Sequence, residues 1–212
     1  MMKYYPYLFI ASLAIMCTQL SAQEASILKN PSFEGKPQHS VTPIGWDNRG
    51  FEEESAPDIH PSGNFGVNRK PYEGESYLGM VVRDNDTWEC VGQKLSLPLL
   101  QDSCYSMSLY AARSRFYVSI SRMTGKEVNF NKPCRLRLYG AREREGKGYE
   151  LLAETPLVEH VDWQQYTLTF TPTMDVTYIY LEAYYESDAG APYNGNVLVD
   201  NLEGIWRCGD EK

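Results

Sequence analysis

Helical periodicity is nearly absent from this chain, and so is any cluster able to hold a metal through nitrogen or sulfur. Three histidines and five cysteines are scattered over 212 residues. No Cys-x-x-Cys or Cys/His spacing occurs, which excludes a zinc finger or ribbon. No glycine-rich loop lies between a strand and a helix, so no phosphate cradle is expected. Basic charge is also in short supply. Lys and Arg number 20 against 28 Asp and Glu, a net charge of −8. An acidic surface argues against nucleic acid and anionic lipid, and leaves neutral ligands and cations open. Behind residue 22 there is no long apolar run, so no transmembrane segment is expected in the mature chain.

One short apolar run does exist, at the very start. Lys3 precedes Tyr7–Met16, and Leu20-Ser21-Ala22 offers a small residue before Gln23. Charge, a short apolar stretch and a small-residue exit are the parts of a cleavable export signal, here residues 1–22. Lipid anchoring at Cys17 is the alternative, disfavoured because Ile15-Met16 lacks the small residue usual before such a cysteine. Cleavage removes Lys3 and no acid, so the mature chain is more acidic still. Residues 23–212 fit a single domain with a core of about 26–208, long enough to bury its own apolar centre. Four cysteines remain: Cys90, Cys104, Cys134 and Cys208. In an oxidising compartment they allow up to two disulfides, in three connectivities. The expected location is the periplasm, the outer surface or the medium.

What is present is alternation. Tyr105, Met107, Leu109 and Ala111 alternate with Ser106, Ser108 and Tyr110. The same period recurs at Leu136 and Leu138, at Tyr166, Leu168 and Phe170, and at Ile179, Leu181 and Ala183. Strand side chains point alternately to opposite faces, so each set defines one apolar face. Further strands are expected near Ser26–Leu28, Tyr77–Arg83, Glu89–Leu97, Leu151–Val158 and Asn196–Trp206. Eight or nine strands joined by Gly-, Pro- and Asn-rich turns suit an all-β, two-sheet antiparallel sandwich. Two long irregular stretches, 35–75 and 113–133, are expected to be loops. Trp163, just ahead of a core strand, is expected to be buried.

An ordered series of short motifs runs through this pattern. It comprises Asn30-Pro31-Ser32-Phe33-Glu34, Pro43-Ile44-Gly45-Trp46 and Tyr72-Glu73-Gly74-Glu75-Ser76-Tyr77-Leu78-Gly79. Val91-Gly92-Gln93-Lys94-Leu95 follows, then Asp162-Trp163-Gln164-Gln165-Tyr166, and Asn196-Val197-Leu198-Val199-Asp200-Asn201-Leu202 closes it. In order and spacing it resembles the carbohydrate-binding-module type of galactose-binding-like jelly roll found in secreted bacterial cell-envelope proteins. The resemblance spans nearly the whole mature chain, though no single motif is specific. It implies a jelly-roll sandwich, with no anchoring or sorting domain expected behind Lys212. It also implies a structural Ca²⁺ at Glu34 and Asp200, where the opening strand meets the last one and where carbonyls near Gly74 and Ser76 would add oxygens. The competing reading has both carboxylates as hydrogen-bonded turn residues.

The outward sets nominate a ligand face. Tyr110, Arg135, Arg137, Tyr139, Tyr180, Glu182 and Tyr184 would put aromatic rings beside forked donors and acceptors if their strands are neighbours. Rings cover the C–H faces of sugars while Arg and Glu bond their hydroxyls. Plain cross-strand packing of Tyr with Arg is the competing reading. Trp46, in a long loop, is a candidate sugar platform. Catalysis has little support: His39 and His60 lie near Ser40 and Asp58, but no nucleophile elbow accompanies them. The expected function is a non-catalytic, exported carbohydrate-binding-like module of the bacterial envelope, not an enzyme. The alternatives are a structural or adhesive protein with a cell-surface protein partner, and a glycan-acting hydrolase on the same sandwich.

Overall fold

The computed structural model describes residues 26–145, 148–186 and 190–209. The expected signal, Cys17 and Gly146-Lys147 lie outside them, as does most of the turn at 188–190. The strands in chain order are β1 (Asp47–Asn48), β2 (Asp58–His60), β3 (Tyr77–Arg83), β4 (Thr87–Trp88) and β5 (Cys90–Leu99). Then come β6 (Tyr105–Ala112), β7 (Val118–Ile120), β8 (Glu127–Asn129), β9 (Lys132–Pro133) and β10 (Arg135–Ala141). The last five are β11 (Tyr149–Glu154), β12 (Gln164–Phe170), β13 (Val176–Tyr184), β14 (Gly195–Asp200) and β15 (Trp206–Arg207). One sheet has the order β1-β5-β13-β10-β11, and the other runs β12-β6-β14-β3-β2. All pairs within these two paths are antiparallel. The architecture is a β-sandwich of jelly-roll type.

The alternation places the core as the sequence indicates. Met107, Leu109, Leu136, Leu138, Leu168, Phe170, Ile179, Leu181 and Ala183 are buried together between the sheets. Ends of the chain segment join across the fold. Ser26 makes a single bridge to Ile205 rather than the expected strand. Cys104, just before β6, forms a disulfide with Cys208, just after β15. Cys90 and Cys134 are free, buried thiols.

The two long stretches are more ordered than expected. Residues 113–133 contain the hairpin β7–β8 and the short β9, which runs parallel to β14. This segment and residues around Val67 lie over the outer face of β3 and β14. There Tyr77, Val81 and Leu198 form a second, smaller core with Val67, Tyr117 and Phe130. Trp163 joins it only half-buried, with its indole donating to the Lys70 carbonyl at 2.9 Å. The expected burial is therefore only partial, because the ring lies at the border of that cluster and not between the sheets.

Candidate functional site

Cross-strand register assembles the site. On the outer face of the first sheet, Arg137 lies opposite Glu182, Tyr139 opposite Tyr180, and Arg135 opposite Tyr184. On the other side of β13, Tyr180 faces Gly92 and Glu182 faces Cys90. Gly92 is required here. A β-carbon at this position would come within 2.8 Å of the Ile179 carbonyl and 2.9 Å of both the Tyr178 and Tyr180 rings. The absent side chain lets those rings lie down across β5.

A cleft of about 370 Å³ results, with Tyr139, Tyr180, Glu182 and Cys90 in its floor. Trp88 and Phe51 form one wall, their rings edge-on with centroids 5.0 Å apart. Tyr149 stands 67% exposed on the other wall, edge-on to Tyr139 at 5.5 Å. Glu182 is held from one side, its Oε2 accepting the Trp88 indole N–H at 2.8 Å. Burial pushes its carboxyl above the ordinary range, against the pull of that N–H and of Arg137. Arg49 lies over the Tyr180 ring, 5.4 Å from its centroid. The Arg144 carbonyl accepts from both the Arg49 guanidinium (3.0 Å) and the Tyr180 hydroxyl (2.7 Å). That loop therefore tethers the cleft edge. The volume and the mix of rings with a few fixed polar groups are those of a small-molecule pocket.

The nominated residues divide. Tyr139, Tyr180 and Glu182 line the cleft. Arg135 and Arg137 stand on the adjoining rim, both bonded to Glu154, at 2.8 and 3.1 Å. Arg137 also covers Tyr184 at 3.5 Å from the ring centroid, so these three form a packed ledge beside the opening. Tyr110 is corrected: β6 belongs to the other sheet, where its ring stacks on Tyr72 at 3.5 Å. Alternation fixes the outward direction of a residue but not which sheet it belongs to. Trp46 is corrected as well. It is 6% exposed, packed at 5.1 Å on Phe33, with its indole bonded to the Asn30 carbonyl. It closes the end of the sandwich. Sequence reasoning missed Arg49, Phe51, Trp88 and Tyr149, which come from loops or short edge strands without alternation. Gly92, inside a strand pattern, was the available signal, because such a glycine marks a close approach.

Glu34 and Asp200 meet across the turn 72–76. Glu34 accepts the backbone N–H groups of Glu75 and Ser76. Asp200 accepts those of Tyr72, Glu73 and Asn201. Gly74, at φ +63°, lies so close that a β-carbon would overlap the Glu34 carboxylate at 1.9 Å. These bonds are the ones the hydrogen-bonded turn reading calls for; a carboxylate has about four lone-pair sites, so the same two side chains keep positions through which a Ca²⁺ would be held. Burial raises the Asp200 carboxyl to about 6.

No family model matches the chain, and no curated protein matches it in sequence. Solved structures do match in fold. The CBM22-1 xylan-binding domain of Paenibacillus barcinonensis Xyn10C aligns over 88% of this chain and 97% of its own, at 17% identity and TM-score 0.51. A cyclase from Fischerella sp. TAU aligns over 90% and 100%, at 14% identity and TM-score 0.54. The K2 cleaved adhesin domain of Lys-gingipain aligns over 87% and 99%, at 11% identity and TM-score 0.53. The fold is therefore a jelly-roll sandwich of the kind these xylan-binding, cyclase and adhesin domains share. At these identities the likeness covers the fold alone, and such a fold carries both binding and catalytic proteins.

Proposed function

We propose that this chain is an exported, non-catalytic saccharide-binding module that takes its ligand in the Trp88–Tyr180 cleft. The observation that carries the reading is the ring arrangement. Trp88, Phe51, Tyr139, Tyr149 and Tyr180 surround two carboxylates, Glu182 and Glu145, and one guanidinium, Arg49. Aromatic walls cover the apolar faces of a sugar, and the charged groups bond its hydroxyls as acceptors and donor. The xylan-binding neighbour supports the substrate class. The leader pattern of residues 1–22 and the Cys104–Cys208 disulfide support export, since disulfides persist in oxidising compartments.

The test is a glycan-array screen of the mature protein, followed by calorimetry on the best ligand. Binding should be saturable and confined to one glycan class. It should weaken about tenfold or more in Trp88→Ala and in Tyr180→Ala, as expected for losing a stacked ring in a closed contact. A folded protein that binds nothing on the array would sink the reading. A second reading, catalysis in the same cleft, draws on the raised Glu182 carboxyl, which is the condition of a general acid. Product release from a bound oligosaccharide, lost in Glu182→Gln, would establish it.

A further inference from the structure

We infer that the outer face of the second sheet carries a separate groove for an uncharged saccharide, running along β6 with Trp206 as its platform. This site shares no residue with the cleft and does not depend on it.

The outer face of this sheet is covered unevenly. Over β3 and β14 the second core closes it. Over β6, β12 and β15 it stays open. Tyr105, Met107 and Leu109 are core residues, so Ser106, Ser108 and Tyr110 point away from the core. Register places Thr167 opposite Ser108 and Gln165 opposite Tyr110 on β12. On the other flank, β15 places Trp206 opposite Ser106. Ser106 and Ser108 are short, while Trp206, Thr167 and Gln165 on the flanking strands and Tyr110 farther along β6 are larger, which makes a trough. Burial agrees. Ser106 is only 5% exposed although it faces outward, as a residue at the bottom of a trough should be.

The trough encloses about 270 Å³, lined by Ser106, Ser108, Gln165, Thr167, Glu203 and Trp206. One end carries the half-buried Trp206 ring. At the next outward position beyond Ser108, the stacked pair of Tyr110 and Tyr72 closes the other end. From Ser106 to Tyr110 the strand advances roughly 14 Å, enough for an oligosaccharide lying along it. The Ser108 hydroxyl donates to Glu203 Oε2 at 2.9 Å and so holds that carboxylate over the floor. Hydroxyls, an amide and a fixed acceptor beside one indole suit a polyol with an apolar ring face. With a carboxylate and no cationic side chain in its lining, the trough disfavours uronic acids and sulfated sugars.

The test is protein-observed NMR on the mature chain, titrated to millimolar concentration with xylohexaose, cellohexaose and mannohexaose in turn. The Trp206 and Trp88 indole N–H signals report on the two sites separately. The expected result is saturable movement of the Trp206 indole and the Gln165 side-chain amide with at least one hexaose. That movement should persist in Tyr180→Ala. Its midpoint should shift about tenfold in Trp206→Ala, read on Gln165, and in the exposed-site variant Glu203→Ala, which spares the β6–β15 pairing. Movement confined to the Trp88 region overturns the second groove and leaves the cleft reading intact. Movement at Trp206 with none at Trp88 supports the groove and removes support from the cleft. Silence at Trp206 with all three hexaoses, or movement there unaffected by both substitutions, overturns the inference.

Discussion

At the scale of single residues, Glu182 and Trp88 set the behaviour of the cleft. The carboxylate accepts the indole N–H of Trp88 and a hydrogen bond from the neighbouring Tyr139 hydroxyl, and its remaining lone pairs face the cleft for a ligand hydroxyl. Protonation turns that acceptor into a donor. Because burial raises this carboxyl, saccharide affinity should fall on acidification from neutral pH, starting above the range of an exposed glutamate. Calorimetry across pH checks this, and Glu182→Gln should flatten the profile while weakening binding at neutral pH. Tyr110 offers the matching control. It lies on the other sheet, so Tyr110→Ala should leave cleft affinity unchanged within about twofold, read at the Trp88 indole N–H signal because Tyr110 also closes the second groove.

Among the elements, β15 depends on its disulfide. It is two residues long and pairs with β6 only at Trp206 and Arg207. The Cys104–Cys208 bond closes a loop with a sequence separation of 104 residues. Constraining an unfolded chain over such a loop stabilises the fold by about 5 kcal/mol in the chain-entropy treatment. The double variant Cys104→Ser/Cys208→Ser should therefore lower the denaturant midpoint substantially, and equilibrium unfolding measures it. The turn 72–76 shows the opposite economy of means. It is locked by two carboxylates accepting four of its backbone N–H groups and needs no covalent link. With the amides alone satisfying the two carboxylates, adding Ca²⁺ or removing it with a chelator should leave Tm unchanged. A Tm that rises with Ca²⁺ would show the turn rearranging to admit the ion.

For the molecule as a whole, buried ionisable groups give stability an unusual pH dependence. The Asp200 carboxyl lies near 6 in the folded protein against an ordinary value of 3.8. Between these values the folded state binds the extra proton, so this group adds stability as pH falls from 6 to 4 and loses it as pH rises. The full swing is about 3 kcal/mol. His60 works in the other direction. It is fully buried, and burial lowers its ring to about 4 from 6.5, so its contribution is lost as pH falls through that window. The two oppose one another in this window, and Glu89, which burial raises to about 8, acts on the same side as Asp200. Asp200→Asn removes one contribution from that side. Its stability should decline more steeply than the wild type's on acidification from pH 6 to 4, as chemical denaturation at each pH would show.

The sequence by itself determined the class of fold, the core faces and the direction of each strand side chain. Leu136, Leu138, Ile179 and Leu181 are buried where alternation puts them, because alternation is a local property of extended backbone. It also supplied three cleft residues, Tyr139, Tyr180 and Glu182, since they lie on long strands with a clear period. Tertiary structure alone decided the rest. Trp88 and Arg49 reach the cleft from short edge strands and loops, and Tyr110 belongs to the opposite sheet. Strand order and register are long-range properties, set by which apolar faces close on each other across the sandwich. The meeting of Gly92 with Tyr180, on which the cleft depends, joins residues far apart in the chain, and no local pattern encodes it.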